Sequence, residues 1–550
     1  MTSDNLKKAM RCRAGGLAFG TIAGLFVVAI LVLYLPAYWV GSLIPHSDAG
    51  DYAVTAYHLA HLEPYHLSLL HRTYPSRYPF GFPLLLVPSY WLPHATLANG
   101  IYGVLVLAIV TVLATYVLTR AIAGRVAGIV AAITLLLSPA FVTFSHYVMS
   151  DIATTALIIP SGLLLHHTVT SESAKGRIGL LAVLGATSGF AILVHLSNVT
   201  LPAAILPAIL INRRIRADGV CALLTFAIGP CTALLSLMVY AKVTFGRVTA
   251  TGYQFWRPQW YTSFHTTFAL AYAITPHRMQ TYGPPTQLGN IGYYAHFFIA
   301  LIPSRWLYLP LIVGIGVVFF DRCPATHAVT IFALLFSTLT LCLYTFYFAQ
   351  AIRFLLPLVP FMALAVGVCV TTGITLTRTR MHDSGCRHRV RLTCGIAMCL
   401  VPLIAIMLGY PATIDESYLY QRYVRHNSTP LPIPIEAEAM ALYERFVPAD
   451  SILVTDLFVP VLESMSVGKR TIIVPVTWTG YESDVVPLKT LPTLQSERRY
   501  VDAAIAAGTP VFTDSVTVGW EGDSLAGFHL LPVAETVRGL NTIVVYRLQL

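Results

Sequence analysis

A chain of 550 residues that is 56% hydrophobic and only 11% charged, with a mean hydropathy of +0.68, is too apolar and too poor in charge for an ordinary soluble globule, where about a quarter of residues are charged. It belongs in lipid. The excess of 35 Lys and Arg over 25 Asp and Glu does not mark a nucleic-acid groove, because through residue 411 the basic residues fall largely in short clusters between apolar runs.

In chain order, the first apolar run, about 17–40, follows Lys7, Lys8, Arg11 and Arg13. It is too long for a cleaved signal and lacks an A-x-A exit, so it reads as a retained signal-anchor helix. Runs of about twenty apolar residues, the length that crosses about 30 Å of hydrocarbon, recur to residue 411. Eleven spans are predicted, at about 17–40, 98–119, 126–145, 152–170, 178–195, 197–212, 220–241, 303–320, 326–346, 354–376 and 392–411, the short pair at 178–212 carrying the weakest signal. Lys and Arg test this topology, since they collect in cytoplasmic loops. The N-terminal cluster, Arg120 and Arg125, Lys175 and Arg177, Arg213, Arg214 and Arg216, Arg322, and the run from Arg378 to Arg391 occupy alternate loops. That puts the N-terminus in the cytoplasm and residues 41–97, 146–151, 242–302, 347–353 and everything after 411 on the outer face.

After residue 411 the composition turns to mixed charge with short alternating elements. Strand-like runs at Ser451–Thr455, Thr471–Val476, Pro510–Thr513 and Thr542–Arg547, with helical stretches near 433–447, 457–467 and 496–507, predict a small α/β domain. It carries no glycine fingerprint, P-loop or His/Cys cluster. The nine cysteines, none beyond Cys399, indicate neither a disulfide framework nor a CxxC metal site. The expected class is an α-helical polytopic membrane protein with about eleven transmembrane helices and outer juxtamembrane helices, plus a small C-terminal soluble α/β domain. The division is 1–411, with a first outer loop at 41–97, and 412–550.

An ionised carboxylate near lipid is costly and persists mainly where it has a partner or a task. The outer face of the membrane part holds only Asp48, Asp51, Glu63 and Asp151, whereas Glu172, Asp218, Asp321 and Asp383 sit beside cytoplasmic basic residues. Asp48 and Asp51, at i and i+3 of a polar helical stretch suited to lying along the membrane surface, share one helical face. An N-cap and a first-turn acid would account for them equally well. Asp151, where the third span emerges and the fourth begins, has the same bland reading. Two carboxylate sites on one side and at similar depth favour a shared cleft.

Three further segments stand out. Arg77 lies in a stiff loop, Arg72 to Pro83, that is rich in proline and carries two cations. Arg353 is the one cation at its outer helix start, where a guanidinium meets a lipid phosphate bidentately or simply anchors to headgroups. The outer segment from Thr244 to Trp260, including Tyr253, is dense in aromatics, as a sugar-stacking loop or an ordinary interfacial belt would be. His46, His58, His61, His66, His71 and His94 crowd the first loop, but no HExxH motif accompanies them.

SDAGDY (Ser47–Tyr52), RYPFGFP (Arg77–Pro83), MSD (Met149–Asp151), FGRVTATGY (Phe245–Tyr253) and RFLLPLVP (Arg353–Pro360), in that order and on one predicted side, resemble the GT-C superfamily of polytopic glycosyltransferases. The likeness is to the branch of protein O-mannosyltransferases, aminoarabinose transferases and bacterial RgtA/B/C/D-like enzymes, and it spans roughly residues 15–411. The resemblance implies transfer of a sugar from a polyprenyl-phosphate donor to a hydroxyl of a lipid, glycan or protein acceptor at the outer face of a bacterial plasma membrane. It implies Asp48 as the catalytic carboxylate, Asp151 as the second acidic position and Arg353 as a cation near the donor phosphate. Asp51, Arg77 and Tyr253 join them as candidate substrate-binding residues. The family commonly has Asp-Glu at the first motif, whereas Ala49 follows Asp48 here, which leaves the role open between Asp48 and Asp51. No cofactor or metal is implied, a divalent cation has no supporting motif, and no nucleic-acid partner is expected.

Two other classes compete. A transporter or lipid flippase favours charges at the bilayer midplane in paired halves, and here the outer acids cluster near span ends in one third of the chain. A non-enzymatic scaffold would present only the C-terminal domain.

Overall fold

The computed structural model describes residues 20–30, 47–69, 72–256, 258–261, 263–275, 289–321, 323–378, 386–416, 442–443, 445–455, 471–474, 493–521, 525–538 and 541–550. Six of the described helices are long and apolar enough to cross a membrane: Gly100–Ala123, Ser150–Thr170, Ala174–Val194, Gly219–Phe245, Pro324–Phe346 and Ile352–Thr377. Five shorter apolar helices, Gly20–Ile30, Arg125–Leu136, Leu196–Ile211, Arg305–Phe320 and Thr393–Leu408, lie on the other predicted spans. Apolar side chains such as Val220, Leu224, Ile228, Leu235 and Val243 stay exposed along Gly219–Phe245, as they must on a surface solvated by lipid.

Prolines explain where spans break. The predicted run 126–145 is two helices, because Ser138 accepts the amide proton of Phe141 at 3.2 Å and Pro139 opens a new turn, Pro139–Phe144. The run after Arg353 begins as a 3-10 turn, Ile352–Leu358, where Pro357 removes an amide donor, before the helix Val359–Arg378.

The first outer loop folds inward. Its helix, Ser47–Ala60, is covered by protein, with Asp51, Tyr52, Ala53, Val54, Thr55 and Ala56 all buried. Its polar groups are satisfied locally, with Thr55 donating to the Asp51 carbonyl at 2.7 Å. The antiparallel hairpin of β1 (His66–Leu69) and β2 (Arg72–Pro75), then the helix Gly81–Leu86, complete the loop. Gly81 makes a close approach rather than a turn, because a Cβ there would lie 2.4 Å from the Leu193 carbonyl carbon.

The C-terminal part is a five-stranded mixed sheet in the order β4-β3-β5-β7-β6. The strands are β3 (Ile452–Val454), β4 (Ile472–Val474), β5 (Val511–Asp514), β6 (His529–Arg538) and β7 (Asn541–Gln549). β3 runs parallel to β4 and β5, and β7 is antiparallel to β5 and β6. The helix Leu494–Ala506, capped by Thr493, answers the stretch expected at 496–507. The stretch expected at 457–467, and most of 433–447, lie outside the described residues. β6 is a strand the sequence reading misses. The helix Cys386–Glu416 runs five residues beyond the expected boundary at 411.

The sheet docks on loops expected to lie outside the membrane. One apolar cluster joins Tyr74 of β2, Phe255 and Trp256 to Tyr443, Leu453, Phe512 and Ile543.

Candidate active site

Asp48 and Asp51 stand one turn apart on Ser47–Ala60, Arg77 follows the hairpin, Asp151 sits in the first turn of Ser150–Thr170, and Arg353 opens the 3-10 turn. The fold brings all five together. Arg77 Nε lies 3.0 Å from Asp51 Oδ2, and its Nη1 donates to Asp48 Oδ1 at 3.5 Å. Arg353 Nη2 donates to Asp48 Oδ2 at 2.7 Å, while its Nε is 3.7 Å from Asp151 Oδ2. The charges therefore alternate along one line: Asp51, Arg77, Asp48, Arg353, Asp151.

Asp48 is the shared member, held between both guanidiniums. It is also the most accessible of the three acids, its side chain 21% exposed against 14% for Asp151 and 2% for Asp51. That separates the two acids of the first motif. Asp51 is an internal partner for Arg77, and Asp48 keeps the larger accessible surface. Among the described residues no group of three or more His, Cys, Asp or Glu is arranged to hold a metal ion.

Aromatic rings wall the ion-pair line. Tyr52 stacks on Tyr78 with centroids 4.3 Å apart, and Tyr253 meets Tyr78 edge-on at 5.3 Å. Gly252 lets that happen, because a Cβ there would fall 2.1 Å from the Ser76 carbonyl oxygen. Trp256 Nε1 donates to the Pro75 carbonyl at 2.8 Å and ties the same segment to β2. Burial, reinforced by neighbouring phenols and by Asp48, pushes the hydroxyls of Tyr52, Tyr78 and Tyr253 well above the usual tyrosine range, so they stay protonated hydrogen-bond donors. The Tyr253 hydroxyl is buried and has no hydrogen-bond partner among the described residues.

Every candidate from the sequence thus falls at one place. The sequence reading misses four residues there. Tyr52, which bonds Ser150 Oγ at 3.0 Å, and Tyr78 stood inside the quoted motifs, unselected. Arg353 Nη1 donates to Met149 Sδ at 2.9 Å; Met149 opens the MSD motif, but a thioether there carries no sign of a guanidinium partner. His195 lines a polar notch with Asp151, Ser197, Asn198 and Tyr344. Asn198, the first residue of a sequon, is buried and spends its amide on Thr154 Oγ1 and the Ala191 carbonyl, so it is not an open glycosylation site.

Residues 79–233 match the family profile of dolichyl-phosphate-mannose-protein mannosyltransferases. The crystal structure of ArnT from Cupriavidus metallidurans bound to undecaprenyl phosphate superposes with a TM-score of 0.61 at 14% identity, covering 96% of this chain and 98% of that one. The chain shares that structure's fold. The apo oligosaccharyltransferase of Archaeoglobus fulgidus is similar at TM-score 0.55 and 12% identity, over 96% of this chain and 76% of that one. That archaeon's oligosaccharyltransferase AglB, in complex with an inhibitory peptide and a dolichol-phosphate, matches at TM-score 0.51 and 11% identity, over 90% and 69% of the two chains. Among curated protein sequences nothing matches. The shared fold and the six described helices long and apolar enough to cross a membrane support an integral membrane protein.

Proposed function

We propose that this chain, as a GT-C glycosyltransferase, moves a sugar from a polyprenyl-phosphate donor to an acceptor hydroxyl on the outer face of a bacterial plasma membrane, with Asp48 as general base. One observation carries the reading: Asp48, the most open acid, sits between two arginines next to the bundle, where a donor can keep its isoprenoid tail in lipid and present its sugar. ArnT holds an undecaprenyl phosphate and AglB a dolichol-phosphate, and these ligands of similarly folded proteins support a lipid phosphate as the sugar's carrier here.

The chemistry is one displacement. The acceptor oxygen bonds to the anomeric carbon, its proton passes to Asp48, and the bond from that carbon to the phosphate oxygen breaks. The leaving phosphate gains negative charge, which Arg353 and Arg77 offset best where water is excluded. While both guanidiniums bond Asp48, its oxygens are engaged. A phosphate that draws Arg353 to itself releases Asp48 Oδ2 to accept a proton, so donor binding readies the base. Asp151 steadies Arg353 from the far side, Asp51 anchors Arg77, and the Tyr253 hydroxyl contacts the sugar.

The test is transfer from a panel of labelled polyprenyl-phosphate sugars by the protein in nanodiscs. Asp48→Asn is expected to lower turnover about 10²- to 10⁴-fold, the usual contribution of a general base. Turnover at the parental rate would remove Asp48 from the mechanism.

A further inference from the structure

His195 joins the helices Ala174–Val194 and Leu196–Ile211 and is half-buried at the edge of the ion-pair line. Its Nδ1 is fully engaged. The backbone amide of Ser197 donates to it at 3.3 Å, and Ser197 Oγ lies 2.6 Å away. Tyr344 in turn donates its hydroxyl proton to Ser197 Oγ at 2.9 Å, leaving the serine's own proton for the imidazole. Tyr344 stacks on Phe354, 4.4 Å between centroids, so the relay is anchored on the residue beside Arg353.

An amide N–H cannot donate to a protonated nitrogen, so Nδ1 is an acceptor and the ring's proton sits on Nε2. The ring is kept neutral as well. With Nδ1 accepting, the single ring proton on Nε2 leaves the imidazole uncharged, and it shares its notch with Asp151, which Arg353 Nε approaches to 3.7 Å. No hydrogen bond is made at Nε2 among the described residues. The result is a neutral N–H donor of fixed tautomer beside a guanidinium, able to share one anionic oxygen with it without like-charge repulsion.

We infer that His195 is a further ligand-binding residue of this site, a neutral hydrogen-bond donor to the phosphate that Arg353 holds. The inference rests on the lipid-phosphate reading above. Binding of a polyprenyl phosphate carrying no sugar, to protein in zwitterionic nanodiscs, tests both separately. His195→Met removes the donor at similar length and is expected to weaken binding about 10- to 100-fold, the range for a hydrogen bond to a charged group. His195→Gln, whose amide nitrogen replaces Nε2, is expected to stay within about threefold of the parent.

Parental affinity for His195→Met, with Arg353→Ala weakened, overturns the role of His195 and leaves the phosphate site standing. Equal weakening in the Met and Gln variants makes His195 merely structural and also overturns it. Should Arg353→Ala bind as the parent does, the phosphate reading itself falls.

Discussion

Asp48 and Asp51 are three positions apart on one helix, and the structure makes them unlike. Asp48 is the more accessible and touches both arginines, while Asp51 is almost fully buried and meets the Arg77 guanidinium at 3.0 Å. Arg77→Ala leaves that carboxylate buried without its partner, and breaking a buried pair from one side costs about 3–5 kcal/mol. A clear fall in the thermal midpoint of the detergent-solubilised protein is the expected outcome, and an unchanged midpoint would show that the pair is dispensable. Arg353→Lys keeps charge but loses the planar fork that reaches Asp48, Asp151 and Met149 together. Its KM for the lipid donor is expected to rise at least about tenfold, since a charge-assisted hydrogen bond amounts to about 1.5–3 kcal/mol. The carboxylates and cations were legible in the sequence because charge beside lipid is rare. Met149 and His195 were not, because a thioether and an imidazole at a span end look ordinary until a guanidinium is seen against them.

At the scale of elements, the site depends on two short pieces of chain held in contact. The hairpin leads into Arg77, and the segment Gly252–Trp256 lies across it. Gly252→Ala forces the new methyl against the Ser76 and Arg77 carbonyls, which are backbone and cannot swing aside. Transfer activity is expected to drop with a smaller loss of folded protein, because the clash displaces the Arg77 loop first. Activity and yield falling in proportion would argue against that order. The helix Ser47–Ala60 was visible as a helix, but its burial was not, since its partners come from 67–97 and from near 253. β6 escaped notice because its proline and charged residues weaken its alternation; only pairing with β7 makes it a strand.

For the molecule as a whole, described residues from four segments expected outside, 41–97, 146–151, 242–302 and 347–353, meet at the ion-pair line and its aromatic wall. The C-terminal sheet packs onto the same end through Tyr74 and Trp256. Arg177 and Asp218, both in loops expected inside, form a bidentate pair of their own. In a cysteine-free background, a thiol reagent that does not cross membranes is expected to label Glu63→Cys and to spare Arg214→Cys in intact cells. Labelling of both from the same side would break the topology.

By itself the sequence determined the solvent, the apolar stretches, an expected side for each loop and the residue types available for chemistry. Those follow from hydropathy and charge, whose energetic cost in a bilayer is local and large, so a window of about twenty residues carries it. Only the tertiary structure decided that Asp48 lies between two arginines, that Asp51 belongs to Arg77 and that the C-terminal sheet rests on the loops around the site. These are contacts between residues up to 305 positions apart, set by side-chain packing and close backbone approach, for which no local pattern in the chain provides a signal.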